Sequence, residues 1–128
     1  SLPYMQRIAA AITNVPVTLF AKDAWHSVQQ IAESDCQVLG LGWSHQALEA
    51  RATLGSKQVI QGNLDPCALY SDTATIQNLT TKMLQDFGPH YIANLGHGVY
   101  PDTPLDNVKV FVETVKQFSY ANIDSPSI

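Results

Sequence analysis

The chain has 128 residues, an apolar share of 45% and a formal charge of −4, enough for a single domain segment over 1–128 with a core of its own. Only Arg7 and Arg51 carry guanidinium groups and no basic run occurs, which argues against a nucleic-acid partner. No segment reads as a signal peptide and no apolar run is long enough to span a bilayer, so no membrane partner is expected.

In chain order, residues 3–13 read as a helix, with Met5, Ile8 and Ile12 at helical spacing and Asn14 as the break. Residues 15–21 form a short apolar strand entered through Pro16. A short helix follows His26 with Val28, Ile31 and Ala32 on one side, closed by Ser34 and Asp35. Residues 37–42 are the second strand. A helix carrying Ala47, Leu48, Ala50 and Arg51 stops at Gly55, and Arg7 and Arg51 are both read as helix-surface residues. Residues 57–62 are the third strand, running into a loop over 63–70.

Ser71 or Asp72 caps the next helix, whose expected buried stripe is Ile76, Leu79, Met83 and Phe87. Gly88 and Pro89 end it. Residues 90–95 are the fourth strand, followed at once by Gly96-His97-Gly98. Thr103-Pro104-Leu105-Asp106 predicts a helix start with Thr103 as the N-cap. Leu105, Val108, Phe111, Val112, Val115 and Phe118 form that helix's apolar face, and residues 122–128 read as a frayed tail. Cys36 and Cys67 match no disulfide scaffold; they read as two buried reduced thiols in a reducing, cytoplasmic setting.

The pattern is one helix and then four strand–helix pairs. Short apolar strands without clean alternation suit a parallel sheet covered on both faces. Two architectures fit: about four βα units from the C-terminal part of a (β/α)8 TIM barrel, or a small doubly wound parallel sheet. The chain is about half the roughly 250 residues of a closed barrel. In both architectures the chemistry belongs at the carboxyl ends of the strands.

Those ends carry four groups: Lys22, Asp23, Trp25 and His26; Trp43, Ser44 and His45; Gln61, Asn63, Asp65 and Tyr70; Asn94, His97, Tyr100 and Asp102. His97 stands out. Flanked by glycines, it is open to close approach by a bulky ligand and able to bind a carboxylate or move a proton. The alternative is a loop histidine bonded to a neighbouring carbonyl. Asn63 and Asp65 read either as turn formers or as a pocket wall. His26 and His45 read as solvent-facing residues at helix starts. Gly40-Leu-Gly lacks the third glycine of a dinucleotide site, and no Walker loop, nucleophile elbow or zinc-ligand spacing occurs. Asn78-Leu-Thr matches a glycosylation sequon but falls mid-helix.

Two strings are more specific: Gln61-Gly-Asn-Leu-Asp-Pro-Cys-Ala-Leu-Tyr70, and Tyr91-Ile-Ala-Asn-Leu-Gly-His-Gly-Val-Tyr-Pro-Asp-Thr-Pro104. Both resemble the C-terminal portion of the uroporphyrinogen decarboxylase family of haem biosynthesis. Val15-Pro-Val-Thr-Leu-Phe-Ala-Lys22 and Glu49-Ala-Arg51 are similar in order and spacing, so the resemblance covers nearly the whole chain. It implies a (β/α)8 barrel, a homodimer, and a porphyrinogen substrate whose four acetate side chains become methyl groups with loss of carbon dioxide. No metal and no organic cofactor are implied. His97 matches the family's active-site histidine, catalytic and in contact with substrate, with Asn63, Asp65 and Tyr100 as pocket wall.

A carboxylate-rich substrate demands arginine forks, yet the strand-end loops carry Lys22 as their only permanent cation. The segment is therefore expected to be inactive alone and, if isolated, to self-associate through its open sheet. One departure from the family pattern is Gly42, in Gly40-Leu-Gly-Trp43 where an acid usually precedes the tryptophan. Two other readings stand beside the decarboxylase: a truncated, non-catalytic family member, and a related corrinoid-linked methyltransferase. The latter uses a zinc-bound cysteine, which the Gly-His-Gly turn lacks.

Overall fold

A computed structural model describes residues 1–122. Helix α1 spans Leu2–Ala11, and Ile12 is already extended, two residues short of the expected end. Then come β1 (Thr18–Phe20), α2 (Val28–Ala32), β2 (Val38–Gly40), α3 (Ala47–Leu54), β3 (Val59–Leu64), α4 (Thr73–Phe87), β4 (Tyr91–Leu95) and α5 (Leu105–Gln117). Short 3-10 turns at Trp25–Ser27, Pro66–Tyr70 and Tyr120–Asn122 complete the described chain. The expected frayed tail lies, beyond Asn122, outside the described residues.

All three strand pairings are parallel, and the sheet order is β1-β2-β3-β4. A doubly wound sheet reverses its order at a switch point and carries helices on both faces. Here the order never reverses. Helix α2 packs on α3, α3 on α4, and α4 on α5, so the helices share one face. That arrangement is about four consecutive βα units of a (β/α)8 barrel, with β1 and β4 as open edges.

The register sorts the side chains. Leu19, Leu39, Ile60 and Tyr91 lie in one row across the sheet, and the first three are buried under the helices. One residue later Phe20, Gly40, Gln61 and Ile92 form the next row, on the opposite face, where Phe20 and Ile92 stay exposed. The core sits between sheet and helices, with Ile31, Ala50, Ile76, Met83 and Phe87 supplied by the helices. Phe87 stacks on Tyr91 at 4.7 Å.

Helix α4 shows how local signals and packing combine. Asp72 caps it, accepting from Thr75 N at 2.9 Å, and Gly88 ends it at φ 76°. That conformation is cheap only for glycine. Its buried stripe is Ile76, Thr80, Met83, Leu84 and Phe87, while Leu79 is exposed. Ile76, Met83 and Phe87 are buried as expected; in the second turn Thr80 rather than Leu79 enters the core.

Several other expectations are corrected. Strand β3 continues through Asn63 and Leu64, which pair with Asn94 and Leu95; a turn-forming residue type is overruled by the ladder on its neighbour. Helix α5 begins at Leu105 with Pro104 as its cap and no side-chain cap bond, so Thr103 is not the N-cap. Instead the Thr103 hydroxyl lies 3.3 Å from the Tyr70 hydroxyl. Along α5 only Phe111 is fully buried, and Leu105 and Val112 are exposed, because in the described chain only one neighbouring helix covers it. Cys36 is half-buried, with burial raising its thiol pKa, but Cys67 is exposed on the outside of the Pro66–Tyr70 turn, whose inward residues are Pro66 and Leu69.

Arg51 is half-buried, and its guanidinium is engaged rather than solvated. Its Nε donates to Phe87 O (2.9 Å), Nη1 to Gly55 O (3.0 Å) and Gln58 O (2.6 Å), and Nη2 to His90 O (3.1 Å). One planar fork therefore ties the ends of α3 and α4 to the amino ends of β3 and β4.

Candidate functional site

At the opposite, carboxyl end of the strands the chain opens into a groove of about 290 Å³ on the helix-free face. Thr18, Phe20, Gln61, Asn94 and the Gly96-His97-Gly98 turn line it. Strand alternation puts them there. Phe20 and Gln61 share a row, and Asn94 follows Ile92 on the same face, one step nearer the carboxyl end.

Three loops meet around this groove. Gly96 N donates to Leu64 O at 2.8 Å, so the His97 turn starts as an extension of the β3–β4 ladder. Gly96 also lies against the loop after β2: a Cβ there would come 2.3 Å from Trp43 N. Only a residue without a side chain permits that approach. Asn63 anchors the same loop from the other side, its buried amide donating to Gly42 O (2.9 Å) and His45 O (2.7 Å). The Tyr70 hydroxyl donates to Asp102 Oδ1 at 2.6 Å. That bond joins the loops after β3 and β4, and the carboxylate raises the phenol's pKa.

Of the expected site residues, His97 lines the groove and is half-buried. Its Nδ1 lies 2.8 Å from Gly98 O. A carbonyl only accepts, so Nδ1 carries the proton and Nε2 is the acceptor in the neutral ring. Both readings of this histidine thus coexist: it bonds a neighbouring carbonyl and it faces a groove. Tyr100 is exposed and packs edge-on to the imidazole at 5.8 Å. Asn63 is committed to the loop carbonyls. Asp65 is half-buried and caps the Pro66–Tyr70 turn, accepting from Cys67 N at 2.9 Å.

His26 is exposed as expected. His45 is not solvent-facing: it is half-buried, with Nδ1 3.3 Å from Gly42 O and Nε2 buried without a hydrogen-bond partner. It folds back because the loop carbonyl offers the ring an acceptor. Lys22 and Asp23 are exposed beyond β1, and Asp23 takes a left-handed backbone with φ 58°. The lining by Thr18 and Phe20 was not singled out from sequence; the parity they share with Gln61 across the sheet is the signal that finds them.

Among the described residues no group of three or more His, Cys, Asp or Glu side chains is placed to hold a metal ion, and no helix is long and apolar enough to cross a membrane. The model of one family, uroporphyrinogen decarboxylase (URO-D), matches residues 1–118. The chain belongs to the uroporphyrinogen decarboxylase family. Similar members include the uroporphyrinogen decarboxylases of Homo sapiens, 42% identical, and Danio rerio, 43% identical, each match covering 93% of this chain and 35% of the relative. The enzyme of Actinobacillus succinogenes is 40% identical over 94% of this chain and 36% of its own length. The chain thus spans about a third of the length of the decarboxylases it matches. A methyltransferase from Methanosarcina mazei has the same fold over 91% of this chain and 35% of its own, with TM-score 0.78 and 21% identity.

Proposed function

We propose that this chain is the C-terminal, histidine-bearing side of a uroporphyrinogen decarboxylase barrel, acting on uroporphyrinogen within a longer, homodimeric, cytoplasmic enzyme. The observation that carries this reading is the placement of Gly96-His97-Gly98 at the carboxyl end of β4, opening onto the inner face of a parallel sheet in a chain of this family.

The chemistry asks for what the groove supplies in part. Each turnover breaks the bond between an acetate methylene and its carboxylate. A proton added first to the pyrrole ring makes the ring the sink for the electron pair left behind by carbon dioxide. The exocyclic methylene is then protonated to methyl while the ring returns its proton, so each cycle consumes one proton and releases one carbon dioxide. A protein that accelerates this must fix the carboxylates and stabilise the positive charge building on the ring.

His97 has an Nε2 free to take or give a proton, and when protonated it donates to a substrate carboxylate. Asn63 braces the loop after β2, Asp65 caps the turn after β3, and Tyr100 packs edge-on to the imidazole. Lys22 is the nearest thing to a permanent cation on this rim. The remaining carboxylate partners therefore belong to the part of the barrel outside this chain.

The test uses the full-length protein that carries this segment, assayed for conversion of uroporphyrinogen to coproporphyrinogen. His97→Asn is expected to lower kcat/KM by about tenfold, the worth of one hydrogen bond to a charged group, or to release partly decarboxylated intermediates. Unchanged kinetics and product distribution would remove His97 from the site.

A further inference from the structure

We propose that Asn63 is the positioning residue of the His97 turn: through the loop after β2 it sets where Gly96-His97-Gly98 sits over the groove. The inference deepens the decarboxylase reading and rests on it only for what His97 acts on. Every group it uses lies on β2, β3 and their loops, or on the side of β4 that faces β3, so it does not depend on the open edges of the sheet.

The Asn63 amide has one orientation. Its nitrogen stands 2.9 Å from Gly42 O and 2.7 Å from His45 O. Carbonyl oxygens only accept, so the group between them is the NH2, and both its hydrogens are spent. Asn63 is 8% exposed and stands outside the lining of the groove, so it serves the loop and not the substrate. Held this way, the loop is a compact piece. His45 N donates back to Gly42 O at 3.2 Å, and at the root of the loop Leu41 N donates to Gln61 O at 2.8 Å.

Trp43, between the two anchored carbonyls, carries the constraint to the turn. Its backbone packs so closely on Gly96 that a Cβ on the glycine would lie 2.3 Å from Trp43 N and 2.7 Å from Trp43 Cα. On the other side Gly96 N donates to Leu64 O at 2.8 Å. Gly96 is therefore seated between a hydrogen bond to β3 and the wall of the β2 loop, and His97 is the next residue. Asn63 and Leu64 are neighbours on β3, so one step of that strand sets both sides of the seat. A displacement of about 1 Å at a reacting group is enough to cost much of its contribution to rate.

The experiment uses the full-length protein. Asn63→Ala removes both donors and adds no bulk; Asn63→Ser leaves one donor on a shorter arm and is read in its place if alanine prevents folding. Each is made alone and with His97→Asn. Hydrogen exchange reads the turn without substrate: we expect faster exchange in the peptides spanning 42–45 and 96–98, with α4 unchanged. Unchanged exchange over 96–98 would overturn the proposal, and so would an equal rise throughout the protein, the mark of a general loss of stability. Turnover of uroporphyrinogen reads the consequence. kcat/KM should fall about tenfold with His97 present and by less than about threefold in the His97→Asn background, because two residues acting through one contact are not additive. Equal losses in both backgrounds would show that Asn63 acts apart from His97 and overturn the proposal, as would turnover lowered by His97→Asn but not by the Asn63 variant. Faster exchange at the turn, with turnover unaltered by either substitution, would sink the role of His97 in decarboxylation and leave the positioning standing.

Discussion

The two ends of the sheet treat their polar groups in opposite ways. At the amino end, one guanidinium satisfies carbonyls from four places along the chain and spends four of its five N–H donors on them. At the carboxyl end, Asn94 Nδ2, the Gln61 amide and His97 Nε2 have no partner within the described chain. An unused donor costs little where water reaches it and becomes binding energy when a ligand replaces that water. The first end stabilises the sheet; the second turns its polar groups toward the groove.

The sharpest way to break that contrast is Arg51→Met. It keeps much of the aliphatic stem and strands four carbonyls, and we expect a loss of about 3 kcal/mol in stability by urea denaturation. Arg51→Lys should recover less than half of it, since an ammonium cannot reproduce the fork. A cost below about 1 kcal/mol would mean that the amino end is held by packing instead. Gly96→Ala tests the other end. The new methyl would meet backbone atoms of Trp43, which cannot rotate away, so a loss of about 2 kcal/mol is expected. Porphyrin binding should fall as well, because the His97 turn is displaced. Retained binding with lowered stability would separate the turn from the site.

The smallest effect is expected at Gly42. A Cβ there meets nothing within 4 Å, so Gly42→Asp, which places the acid that the resemblance leads one to expect before Trp43, should change stability by no more than about 0.5 kcal/mol. Raised turnover in the full-length protein would show that this acid matters to the reaction.

Much of this was legible in the residues because its causes are local. Gly55 and Gly88 mark helix ends through backbone preference, the apolar spacing marks the helices, and the glycines around His97 mark a turn open to a ligand. The misplaced details depend on partners far along the chain. Arg51 and His90 are 39 residues apart and Tyr70 and Asp102 are 32 apart; nothing beside Arg51 announces four carbonyls. Asn63 has the composition of a turn, yet Asn94 on the next strand draws it into the ladder. On α4, Thr80 rather than Leu79 turns inward, a choice that depends on how the helix packs between α3 and α5.

The unreversed strand order has a consequence for how such a chain is made. Paired positions in successive strands are separated by 20, 21 and 31 residues, so each strand finds its predecessor already synthesised and close by. The sheet can zip forward behind the ribosome, one crossover at a time, at low loop-closure cost. Among the described residues only the outer margins of the first and last strands are left unpaired, which concentrates the aggregation-prone surface in two seams.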